Sequence, residues 1–96
     1  MPAYVIVDVT VTDPVVMEEY RKHVPATLAK YGGRFIVRGG AHQAVEGDWK
    51  PNRLVLLKFP TYEQARAFYN SELYRAARET RAGATESFNM VVVEGV

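Results

Sequence analysis

Apolar and polar positions alternate strictly at the start of the chain: between Ala3 and Val11, the residues Val5, Val7, Val9 and Val11 share one face and Tyr4, Ile6, Asp8 and Thr10 the other. This pattern predicts a strand. The period changes at Asp13-Pro14, where a carboxylate is placed to accept from the free amides of a first helical turn and proline stands where its missing donor is not needed. Val16, Met17, Tyr20, Val24, Leu28 and Tyr31 then fall on one stripe at helical spacing, with Glu18, Glu19, Arg21, Lys22 and Lys30 elsewhere, so the helix is predicted to run toward Tyr31. Pro25 has no N–H for the carbonyl of Arg21, which predicts a bend near Val24.

Gly32 and Gly33 are expected to stop this helix with left-handed conformations. A second strand follows from Arg34 to Arg38, with Phe35 and Val37 on one face and Arg34, Ile36 and Arg38 on the other. Glycines, Gly47-Asp48 and Pro51-Asn52 punctuate a long hairpin connection, with a short extension expected near Ala44 to Glu46. Arg53 to Phe59 reads as a third strand, Val55, Leu57 and Phe59 opposing Leu54, Leu56 and Lys58. Thr61 with Gln64 forms a capping-box pattern that opens a helix through Ala65, Phe68 and Tyr69. Asn70 and Ser71 break or re-cap it, and a further helix from Glu72 to about Arg81 is expected to turn Leu73, Ala76, Ala77 and Thr80 inward. Ser87 to Glu94 is the last strand.

The order β-α-β-β-α-β predicts an α+β, ferredoxin-like domain: a four-stranded antiparallel sheet in the order 4-1-3-2 with its helices on one face. The face turned from the helices then carries Tyr4, Ile6, Ile36, Leu54 and Leu56 among Asp8, Arg34, Arg38 and Lys58. Covering five large apolar side chains is worth roughly 1.5 to 3 kcal/mol each. A second copy of the chain is the simplest cover, so a homodimer is expected.

The motifs that punctuate these elements also carry a resemblance. D-P followed by Tyr20, Y-G-G-R at Tyr31 to Arg34, R-G-G at Arg38 to Gly40, E-G-D-W at Glu46 to Trp49 and A-F-Y-N-S with Tyr74 beyond it resemble the Domain of Unknown Function family thirteen-thirty, over nearly the whole chain. The resemblance implies a dimeric α+β barrel, two sheets facing each other with helices outside. It carries over no catalytic residue.

Composition narrows the partners. The 96 residues leave room for one domain, and a formal charge of +1 from 12 basic and 11 acidic residues supplies no basic stripe for nucleic acid. The absence of cysteine excludes disulfides, thiolate zinc sites and cysteine nucleophiles, and fits a reducing compartment. No run approaches the roughly 18 apolar residues that span a bilayer, and the N-terminus lacks the pattern of a secretory signal, so no membrane is expected and the cytoplasm is the expected location. No phosphate-cradling glycine loop or nucleophile elbow is present, and no cofactor is called for.

Few residues remain for chemistry. His23, at the margin of the first helical stripe, is the candidate general base, against an ordinary half-exposed histidine on a helix flank. His42 lies in the hairpin loop, and two histidines so separated, without a carboxylate at ligand spacing, argue against a metal site. Asp8, Arg38 and Lys58 share the outer face by parity and would form either a polar floor for a small anionic or carbonyl substrate or an ion-pair network at the barrel rim or dimer interface. Tyr69 and Tyr74 are candidate lining residues at a pocket end, their hydroxyls needing partners if buried. Trp49 would anchor an interface or stack on a ligand. The expected function is the binding of a small organic molecule, in an enzymatic version as a cofactor-independent oxygenase or isomerase in which His23 moves protons and Arg38 and Lys58 stabilise negative charge. The alternative is a non-catalytic binding or assembly module whose polar sheet residues specify pairing.

Overall fold

The Asp13 carboxylate accepts from the amides of Val15 and Val16 at 3.2 and 3.1 Å. That cap opens α1 (Pro14–Lys30) directly after β1 (Ala3–Val11), in a computed structural model that describes residues 1–96. The chain continues through β2 (Arg34–Arg38), β3 (Arg53–Phe59), α2 (Tyr62–Asn70), α3 (Glu72–Thr80) and β4 (Thr85–Glu94). Ser71 both ends α2 and begins α3: its hydroxyl donates to the Phe68 carbonyl at 2.7 Å and accepts from the Tyr74 amide at 3.1 Å. The predicted break is therefore one residue serving as two caps. Residues 39–52 contain no strand, so the short extension expected near Ala44 to Glu46 does not form.

Thr61 accepts from the Gln64 amide at 3.1 Å, one half of a capping box. The other half is redirected. Gln64 Nε2 donates to the Tyr31 carbonyl at 3.2 Å, tying the start of α2 to the C-cap of α1.

The four strands form one antiparallel sheet in the order β2-β3-β1-β4, the predicted order read from the opposite edge. Val5, Val7 and Val9 of β1 face the helices and are buried with Met17, Tyr20, Val24, Leu28, Leu57, Phe59, Phe68 and Tyr74. In α3 the inward residues are Tyr74 and Ala77, while Leu73 is 48% exposed and Ala76 is exposed. The expected inward face is thus rotated by about one residue, because the Ser71 cap sets where the helix starts and so which side its fixed 3.6 period turns inward.

One irregularity in the sheet changes how its side chains are read. Phe35 pairs with Leu57 but Val37 pairs with Leu56, so Ile36 is an extra residue in β2. A bulge of one residue reverses the parity of everything beyond it. Val37 therefore joins Leu56, Ile6 and Val91 on the outer face, and Arg38 joins Val55, Val7 and Met90 on the face toward the helices.

Candidate functional site

Helix α1 packs chiefly against α3 and only lightly against β2, while α2 lies over β1, β3 and β4. Phe35 on the edge strand β2 and Val55 on the adjacent β3 are half-buried on the helix-facing surface. A cleft of about 330 Å³ opens there, bounded by α1 on one side and the sheet on the other. Its walls are apolar: Val7, Val9, Val55 and Leu57 from β1 and β3, Met17 and Val24 from α1, Phe35, Phe68, Phe88 and Met90 around them.

The buried end is closed by two tyrosines. Tyr20 and Tyr74 hydroxyls lie 2.6 Å apart, and Tyr74 donates to Met90 Sδ at 3.4 Å, which makes Tyr20 the donor to Tyr74. Burial, reinforced by the neighbouring Tyr74 hydroxyl, pushes the ionisation of Tyr20 far above the usual phenol range, so Tyr20 is neutral at physiological pH. Arg81, at the C-cap of α3, lies behind this end with its guanidinium 3.6 Å from the Phe88 ring centroid and 5.1 Å from that of Tyr20.

The solvent end is cationic. Arg21 of α1, Arg38 of β2 and Arg53 of β3 are the charged residues that line the cleft, and no acidic residue lines it. Arg21 has a partner, the exposed Glu18 at 3.5 Å, whereas neither Arg38 nor Arg53 is in an ion pair. Arg38 stacks on Phe35, its guanidinium carbon 4.2 Å from the ring centroid. Arg53 lies against Gly39, where an added Cβ would stand 2.7 Å from Arg53 Nε. Burial, then repulsion from Arg21 and Arg38, lowers the pKa of Arg53 from its ordinary value, though a guanidinium in such a place remains charged at neutral pH.

The candidate residues of the sequence are thereby separated. Arg38 was expected on the outer face with Asp8 and Lys58; the bulge at Ile36 puts it in the cleft instead. Lys58 does lie on the outer face, in the row of Arg34 and Tyr4, and Asp8 lies four residues further along the ladder with β1. No ion pair links Asp8, Arg38 or Lys58. Asp8 is engaged by the hairpin loop: it accepts from Trp49 Nε1 at 3.0 Å and from the Asn52 amide at 3.1 Å. Trp49, 60% exposed, sits with Ile6, Asp8, Asn89 and Val91 around a shallow depression on the outer face.

Tyr74 lines the cleft as expected, but Tyr69 does not; its hydroxyl accepts from Arg78 Nη1 at 2.6 Å behind α3. His23 is outside the cleft as well, its side chain half-exposed on α1 with Nε2 3.4 Å from Glu19 Oε1. Arg21 and Arg53 were not singled out from the sequence. The one signal for Arg53 is the R-G-G sequence, whose first glycine makes room for the Arg53 side chain, and nothing in the sequence pattern marks Arg21.

The fold and cleft define a ferredoxin-like α+β domain with a small-molecule-sized opening between sheet and helices. The chain belongs to the family described as Domain of unknown function (DUF1330), whose model matches residues 2–96. Among solved structures it is similar to a protein of unknown function from Rhodopseudomonas palustris, with a TM-score of 0.78, 14% identity, and coverage of 99% of this chain and 82% of that one. It is also similar to a dimeric protein of unknown function and ferredoxin-like fold from Bacteroides fragilis, with a TM-score of 0.60, 18% identity, and coverage of 98% and 96%. A third neighbour is named "Putative antibiotic biosynthesis monooxygenase" from Nitrosomonas europaea, with a TM-score of 0.59, 21% identity, and coverage of 99% and 90%. At these identities the likeness is one of fold. No curated protein matches the chain.

Proposed function

We propose that the protein is a homodimer, joined through the outer faces of its sheets, whose subunits each hold a small organic molecule in the cleft beneath α1. The observation that carries the binding reading is the cleft itself. Its volume falls in the range of small-molecule sites, and it combines apolar walls with a few convergent polar groups. The dimer reading is supported by the outer face, where Ile36, Val91 and Val93 are 40%, 57% and 42% exposed, and by solved neighbours described as dimeric.

The neighbours named as monooxygenases favour a catalytic version, the oxidation of a small organic substrate. In that version the groups facing the substrate are Tyr20, Tyr74 and the three arginines, and His23 is too far outside the lining to move its protons directly.

Filling the cleft tests the binding reading. Val55 is half-buried on its floor, so Val55→Trp should occupy the space while leaving the sheet paired. Metabolites that raise the melting temperature of the natural protein should leave that of the variant unchanged. Stabilisation of both to the same extent would place binding elsewhere and sink the proposal.

A further inference from the structure

We propose that the molecule held in the cleft is a carboxylate, with its charged end at Arg38 and Arg53 and an apolar body directed toward Tyr20 and Tyr74. This rests on the small-molecule reading above and adds the ligand's chemical class.

The arrangement of charge comes first. Arg21, Arg38 and Arg53 meet at the open end of the cleft without an acidic lining residue, and only Arg21 has an acidic partner. Like charges gathered in this way repel, and a bound anion relieves that repulsion more than any neutral group does. Packing then fixes the cations in place. Arg53 is held against the side-chain-free surface of Gly39, whose φ of +72° and amide bond to the Leu54 carbonyl (2.8 Å) set the turn, and Arg38 is held on the Phe35 ring. A guanidinium immobilised before the ligand arrives loses little freedom on binding. Its planar fork matches the two oxygens of a carboxylate.

The far end of the cleft decides the rest of the molecule. Tyr20 donates to Tyr74 and Tyr74 to Met90, so both phenolic protons are already engaged. The tyrosines that close the deep end therefore make no demand for a second polar group on the ligand, and Arg81, whose Nε is buried without a partner, stands behind them outside the cleft lining. The side chains between it and the arginines, Val7, Val55 and Phe88, offer only apolar contact. One charged head and an apolar, aromatic or branched body fit this gradient; a polyanion or a sugar does not.

Isothermal titration of the intact protein with matched acid and amide pairs tests the assignment: benzoate and benzamide, phenylacetate and phenylacetamide, cyclohexanecarboxylate and its amide, with inorganic phosphate as an anion lacking a body. At least one acid should bind about tenfold or more tightly than its amide, the scale of a charge-assisted contact. Arg38→Gln and Arg53→Gln should each abolish that preference. If a variant loses its cooperative melt, the Nε–Hε resonance of Arg53 in the natural protein replaces it as the readout, and it should move saturably with the acid and not with the amide. Amides binding as tightly as their acids would overturn the carboxylate assignment and leave the small-molecule reading standing. Phosphate binding as tightly as the best acid, or an acid preference that survives both substitutions, would also overturn it. Failure of every probe to bind would overturn both readings.

Discussion

Gly33 has no room for a side chain: an added Cβ would lie 2.6 Å from both Leu28 Cδ1 and Phe59 Cε1. Its neighbour Gly32 carries the positive φ, +76°, that ends α1. The two glycines of Y-G-G-R therefore serve different needs, one conformational and one of close approach. Gly33→Ala must push aside two buried side chains and should cost roughly 1 to 3 kcal/mol, as overpacked cores do. A lowered urea midpoint at unchanged slope is the expected result; an unchanged midpoint would show that Leu28 and Phe59 yield freely. Gly39 is a different case again, since what its missing side chain admits is Arg53.

At the scale of elements, the β2–β3 connection is long yet tied down at both ends. Asp8 receives Trp49 and Asn52, and His42 bridges the loop, with Nδ1 3.2 Å from the Gly40 carbonyl and Nε2 2.9 Å from the Pro51 carbonyl. A neutral imidazole has one N–H and serves one of those carbonyls; the imidazolium serves both. The Pro51 and Gly40 carbonyls accordingly raise the pKa of His42 above 6.5, with Asp8 adding a smaller pull in the same direction. A folded value raised above the unfolded one means that the contribution to loop stability is fully present below pH 6.5 and is lost as pH rises through the folded value. The imidazole resonances of His42 should titrate above 6.5, and amide exchange of Asn52 should quicken over the same range. A midpoint at or below 6.5 would contradict the two-carbonyl bridge.

The whole molecule presents two unlike sheet faces. The inner one is covered by helices except at the cleft; the outer one exposes Val91, Val93, Ile36 and Trp49 with nothing above them in a single chain. It is this surface that the proposed homodimer would cover. Because Lys58 and Leu56 lie on it and Arg38 does not, three substitutions separate the faces. Leu56→Asp and Lys58→Glu should shift the protein toward a single-subunit mass by light scattering at low micromolar concentration, while Arg38→Glu should leave the mass unchanged and disturb only ligand binding. A mass sensitive to Arg38 and indifferent to Leu56 would reverse the assignment of faces.

Local patterns in the chain determined most of the fold. Asp13-Pro14 placed a helix start because capping needs only neighbours within the same turn, the valines of β1 marked a buried face because a strand's period is fixed, and element order restricted the sheet to the topology observed. The site was decided by tertiary structure. Whether Arg38 faces the cleft or the outer side of the sheet depends on one unpaired residue, Ile36, and nothing local to R-F-I-V-R distinguishes a bulged strand from a regular one, since the bulge exists only in pairing with β3. Likewise Arg21 and Arg53 stand more than thirty positions apart in the sequence. They meet only in the folded chain, where α1 and β3 both line the cleft.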